Sequence, residues 1–96
     1  MILHTLIASP SSSAFGDCLE VIHAGDAVVL MGDGVYVALA GTKVWDKMQA
    51  RGAEVYLMRA DAIAAGVTEF AGGAKFIDME GFVALTERYP RQQAWY

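Results

Sequence analysis

The chain has 96 residues, 55% of them hydrophobic and only 19% charged, with eleven acidic against seven basic side chains and a formal charge of −4. Its length fits one domain, residues 1–96, with a modest core. The acidic balance, with Lys and Arg scattered singly from Lys43 to Arg91, argues against direct nucleic-acid binding, and no segment approaches the roughly 20 apolar residues that a membrane helix needs.

Taken in chain order, Ile2 to Ile7 is a β-branched and aliphatic run that stops at Ser9-Pro10, the first predicted strand. Ser11, Ser12 and Ser13 offer N-caps to a first helix, whose Phe15, Cys18, Leu19 and Ile22 fall at the spacing of one buried face. That helix is expected to end near His23-Ala24-Gly25, with Gly25 as a left-handed C-cap. Ala27 to Met31 is almost purely apolar, as in a strand covered on both faces, and breaks at Gly32-Asp33-Gly34. Asp33 is placed to cap a short helix that begins at Gly34 or Val35 and ends at Gly41. A further short helix, Thr42 to Ala50, turns Val44, Trp45 and Met48 to one side.

Ala53 to Met58 is the third predicted strand, after which Asp61 is placed to cap a short helix that stops at Gly66. Val67 to Ala74, with Gly72-Gly73, is expected to loop. Lys75 to Ile77 supplies a short fourth strand, and Met79 to Tyr89 a helix with Met79, Phe82, Val83 and Thr86 on one side. The tail Arg91 to Tyr96 forms either a fifth strand or an interface arm. Strands alternating with helices require crossovers, so the expected architecture is a small three-layer α/β sandwich, a mainly parallel sheet of four to five strands with helices on both faces. The apolar content exceeds what one small core readily hides, which predicts subunit contacts; a sheet covered on both faces is the other source of such a surplus.

Ligands of parallel sheets gather beyond the C-terminal strand ends, so Ser9 to Ser13, Gly32 to Gly34, Met58 to Asp61 and Asp78 outline the expected crevice. Asp33, Asp61 and Asp78 oppose a phosphate there, with Arg59 the only fixed positive charge nearby. Gly32-Asp33-Gly34 lacks the third glycine of a dinucleotide fingerprint, because Val37 occupies that place, and it is expected to be a structural turn. Cys18 is the one nucleophile to consider. It shares a stripe with Phe15, Leu19 and Ile22, which favours core packing, and its neighbours Asp17 and Glu20 disfavour a thiolate. His4 and His23 have no partners at metal-ligand spacing, and His4, inside the first strand, is expected to be a satisfied structural histidine. Neither metal nor cofactor is expected. Tyr36, Trp45, Trp95 and Tyr96 are an aromatic excess that serves either as interface anchors or as cover for the sheet ends. One cysteine excludes an internal disulfide and, with no cationic leader before the first apolar run, points to the cytoplasm.

The combination LHTL with SP at positions 3 to 10, DCLE at 17 to 20, GDAVVL followed by DGVYVALAG, then VYLM, FID, FVALT and the final QAW resembles the TusB/DsrH family of sulfur-relay proteins over nearly the full length. The resemblance implies a subunit of a cytoplasmic heterohexamer with TusC/DsrF-like and TusD/DsrE-like sister subunits. Such a complex passes persulfide sulfur toward 2-thiouridine in tRNA or, in sulfur oxidisers, within dissimilatory sulfur metabolism. The principal relay cysteine belongs to the TusD/DsrE-like sister, which makes this chain an accessory subunit. DsrH-like members carry a cysteine where Cys18 stands, so the alternative implied is that Cys18 itself carries persulfide.

Overall fold

The computed structural model describes residues 1–96 and contains one five-stranded sheet. Its elements are β1 (Leu3–Leu6), α1 (Ser13–Val21), β2 (Ala27–Leu30), a 3₁₀ helix (Gly32–Ala38), α2 (Lys43–Gln49), β3 (Glu54–Met58), α3 (Arg59–Ala64), β4 (Lys75–Ile77), α4 (Met79–Arg88) and β5 (Gln92–Trp95). The strand order is β4-β3-β2-β1-β5, and every pairing is parallel. The tail is therefore a fifth strand, an edge strand paired with β1 alone.

This order fixes where the helices lie. The crossovers from β1 to β2, β2 to β3 and β3 to β4 all step the same way along the sheet. Right-handed connection then places α1, the 3₁₀ helix, α2 and α3 on one face. The last crossover runs back across the whole sheet from β4 to β5, so α4 must lie on the other. Side-chain alternation follows the same division. His4, Leu6, Val28, Leu30, Val55 and Leu57 point toward the four-element face, and Leu3, Ala27, Val29 and Met58 point toward α4. β2, central and covered on both sides, has no exposed residue, as its unbroken AVVL run predicts.

Several local expectations are corrected. α1 ends at Val21, and Ile22 is already extended. Gly25, at φ 94°, does not cap the helix; it is the third residue of the turn His23 to Asp26, closed by the Asp26 N–H donating to the His23 carbonyl at 3.0 Å, where a left-handed residue is required. The segment after β2 winds as a 3₁₀ helix from Gly32 with no side-chain cap, so Asp33 does not perform the capping role. α3 starts at Arg59, which puts Asp61 inside its first turn rather than ahead of it. On α4 the inward residues are Phe82, Leu85 and Tyr89, while Met79 and Val83 are 59% and 47% exposed. The predicted stripe is thus rotated to the flank of the helix. The caps that do form are Thr42, whose Oγ1 accepts from the Trp45 N–H, and Asp78, whose Oδ1 accepts from the Gly81 N–H.

Candidate functional site

Two places collect polar chemistry. The first is a cleft of about 200 Å³ beyond the C-terminal ends of the strands, lined by Gly32, Asp33, Tyr36, Asp61, Ala64 and Ala65. The Gly32-Asp33-Gly34 turn and the first turn of α3 meet there, and the Asp61 Oδ2 accepts the Gly32 N–H at 2.9 Å. Gly34 is dictated by packing, since a Cβ at this position would overlap the Leu6 carbonyl oxygen of β1. The structure brings Gly32, Asp33 and Asp61 of the expected crevice together and adds Tyr36. Ser9 to Ser13 and Asp78 do not line it. Nor does Arg59, whose guanidinium stands over the Phe76 ring, 5.3 Å from its centroid. Two carboxylates and no cation make the cleft unfavourable for a phosphate. No group of three or more His, Cys, Asp or Glu side chains is arranged to hold a metal ion.

The second is a buried network at the start of the sheet. The Asp26 carboxylate accepts the Ile2 N–H on Oδ1 at 2.9 Å, and on Oδ2 the His23 N–H and His4 Nε2, each at 3.0 Å. On the far side of the imidazole, the Trp95 indole Nε1–H donates to His4 Nδ1 at 3.1 Å. Indole nitrogen only donates, so Nδ1 is the acceptor and Nε2 carries the ring proton that Asp26 receives. Burial pushes the Asp26 carboxyl up. The hydrogen bonds from His4 and from the His23 and Ile2 backbone outweigh it, so the group lies below its ordinary value. His4 is a satisfied structural histidine, as its place inside a strand predicts. Asp26, which organises the network, carries no motif of its own; a single buried acid beginning a fully apolar strand was the available signal.

Cys18 is fully buried in the larger core with Phe15 and Ile22. Burial pushes its thiol up to about 12. The acidic neighbours are not the cause, because Asp17 and Glu20 face solvent. At neutral pH the side chain is therefore a protonated thiol out of reach of a reactant, and it behaves as a small apolar residue. The four aromatic residues divide. Trp45, 5% exposed, is in the core; Tyr36 is half-buried against that core at the cleft; Trp95 is half-buried on β5; and Tyr96, 82% exposed, stands free at the end of the chain. No helix is long and apolar enough to cross a membrane.

Comparison with known proteins places this arrangement. The family model described as DsrH like protein matches residues 8–92. Protein TusB of Pectobacterium parmentieri is 39% identical over 94 residues, covering 97% of this chain and 99% of that protein, and Protein TusB of Escherichia coli K12 is 35% identical over the same coverage. Among solved structures, ychN protein from E. coli superposes with a TM-score of 0.73 at 14% identity, covering 98% of this chain and 97% of that one. The solution NMR structure of Tm0979 from Thermotoga maritima superposes at 0.68 with 24% identity, covering 92% and 93%. The latter two establish the α/β architecture; the family match and the TusB relatives, spanning nearly the whole sequence, show that the chain belongs to the DsrH-like family of sulfur-relay proteins.

Proposed function

We propose that the chain is an accessory subunit of a cytoplasmic sulfur relay. It assembles with TusC/DsrF-like and TusD/DsrE-like sisters into a heterohexamer, and the relay serves 2-thiolation of the tRNA wobble uridine. The observation that carries the accessory role is the burial of Cys18. Persulfide transfer requires a thiolate to attack the outer sulfur of a donor persulfide, forming a new S–S bond as the donor thiolate leaves. A thiol held at about 12 inside the core supplies neither the charge nor the access. The attacking cysteine then belongs to a sister subunit, and this chain contributes surface. Of the four aromatic residues read from the sequence as interface anchors, Tyr96 and the half-buried Tyr36 and Trp95 are accessible for that contact, while Trp45 is consumed by the core.

The test is co-expression with the two sisters, followed by assembly analysis, transfer assays and mass spectrometry of the native complex after loading with a persulfide donor. A defined complex, no sulfur added at Cys18 and continued tRNA thiolation by the assembled Cys18→Ser variant are the expected results. One extra sulfur atom on Cys18 at full occupancy, with transfer lost in a correctly assembled Cys18→Ser complex, overturns the accessory role and makes Cys18 a carrier. A soluble monomer that ignores both sisters overturns the assembly itself.

A further inference from the structure

The C-terminal strand is held differently at its two ends. Near its start the Leu3 N–H donates to the Arg91 carbonyl at 3.0 Å, and near its end the Ile7 and Ala8 N–H groups share the Trp95 carbonyl at 2.9 and 3.3 Å. Only the far end has a side-chain tie to a titratable group, the Trp95 indole bond to His4 Nδ1, with the two rings inclined by 26° and their centroids 6.3 Å apart. β5 is an edge strand with three of its four residues exposed, so little apolar burial opposes its opening.

We propose that His4 is a pH-sensitive latch on the C-terminal strand: the neutral imidazole holds Trp95 in place, and its protonation releases the end of β5. When Nδ1 takes a proton from solvent, an N–H faces the indole N–H across the present 3.1 Å, and neither group can accept. The other side of the ring has no reason to move, because Asp26 accepts from Nε2 in either state and gains an ion pair when the ring is charged. Relief therefore falls on the half-buried Trp95, which swings outward and lets water reach Nδ1. Besides Asp26, the charged or titratable residues joined to this network are the exposed His23, whose backbone N–H donates to the same carboxylate, and Arg51, whose guanidinium donates to the Ile22 carbonyl at 3.3 Å. β2 places Val28 beside His4 and β5 places Gln93, and this face is covered by Phe15 and Cys18 of α1 and by Ile22 just after it, the thiol remaining neutral throughout. Asp26, held below its ordinary value, stays ionised while the imidazole titrates. The sign follows: the closed strand requires neutral His4, the released strand does not, so release takes up a proton and is favoured as pH falls.

The test is NMR of the full chain between about pH 8 and 5. It follows the His4 ring, the indole N–H signals of Trp95 and Trp45, and amide exchange corrected for its intrinsic pH dependence. As His4 protonates, the Trp95 indole signal should shift and the Ile7 amide, which donates to the Trp95 carbonyl, should lose about tenfold or more of its protection. Trp45, in the core, and the Leu3 amide, at the other end of β5, serve as unmoved controls. In Trp95→Phe the Ile7 amide should start less protected and show no such pH step. Protonation of His4 with Trp95 and Ile7 unchanged overturns the latch, as does a His4 ring that stays neutral down to the pH at which the chain unfolds; both readouts are available in the natural sequence should Trp95→Phe fail to fold.

Discussion

The face of the sheet under α1, the 3₁₀ helix, α2 and α3 gathers a buried cluster of 17 residues, whereas the face under α4 gathers six. Both belong to the same five strands, so strand composition does not explain the difference. Three crossovers step one way and deposit their helices together, and only the return crossover to β5 serves the other face. One helix offers one inward line, here Phe82, Leu85 and Tyr89, and leaves its flanks to solvent. Part of the apolar surplus of the sequence thus surfaces on the flank of α4, at Met79 and Val83, and part on the outer surface of α3 and α1, at Ile63 and Val21. On the four-element face the sheet surface is covered within the chain, and this finished face also encloses the His4 side of the polar network.

The sharpest way to break this contrast is to disturb the finished face at its tightest backbone contact. Gly34→Ala forces a Cβ into the Leu6 carbonyl, and backbone on both sides leaves no flexible side chain to yield. A loss of about 3 kcal/mol is expected, measured as a shift of the urea midpoint at unchanged slope. A loss below about 1 kcal/mol would show that the 3₁₀ helix rides loosely on β1 and that this face is less finished than its packing implies.

Next in size is Asp26→Asn. An amide keeps one acceptor oxygen but turns an NH2 toward the donors on its other side, leaving either the Ile2 donor or both the His23 and His4 donors facing a donor. About 2 kcal/mol should be lost at neutral pH. Because the folded carboxyl lies below its ordinary value, its stabilisation is complete above the unfolded carboxylate range and disappears as pH falls through the lower folded value. Denaturation curves of the two proteins should therefore converge in acid. Curves that stay parallel down to about pH 3 would mean that the charge of Asp26 contributes nothing beyond shape.

Much of this was legible in the sequence, for reasons that also mark the limits. β1 to β4 fall within a residue or two of their predicted places because apolar β-branched runs bounded by Gly, Pro and Ser code strands locally. The parallel sheet follows from alternation with helices. The Cys18 stripe and the structural role of His4 are likewise local readings. The Asp33 cap failed because the chain turns immediately into a 3₁₀ helix, and the donor at Gly32 is met instead by Asp61, 29 residues away. Asp26 and Trp95 joining His4 across 22 and 91 residues depend on register and strand order, which periodicity does not encode. Of the predicted α4 stripe Met79, Phe82, Val83 and Thr86, only Phe82 packs against the buried cluster, together with Leu85 and Tyr89, because apolar residues lie on two neighbouring faces of the helix and the position of the sheet decides which turns inward.

A cap on each face gives a smaller and matched comparison. Thr42→Ala removes the acceptor for the Trp45 N–H on the finished face, and Asp78→Ala removes the acceptor for the Gly81 N–H on α4. Each should cost about 1 kcal/mol, or a fall of roughly 5 °C in melting temperature. Asp33→Ala, with no cap to lose, should stay within about 0.5 kcal/mol. A larger effect at Asp78 than at Thr42 would indicate that α4, working alone, depends more on its own local structure than helices packed among neighbours do.

The smallest expected effect tests the contrast most directly. Val83 is apolar, sits in the middle of α4 and falls on the stripe that periodicity favours, yet it is 47% exposed. If α4 alone leaves its flank unpacked, Val83→Ser exchanges one half-exposed helical side chain for another of similar helix propensity, and stability should change by less than about 0.5 kcal/mol. Leu85→Ala, two residues further on and buried, should cost about 2 to 3 kcal/mol in the same assay, because it empties the centre of the smaller cluster. The ratio between them carries the information, since both changes are made on one helix and share its propensity and end effects. Comparable losses at the two positions would place Val83 in a packed environment and remove the asymmetry between the faces. A large gap, with Val83→Ser silent in the isolated chain, leaves the flank of α4 as apolar surface that the fold of this chain does not itself use.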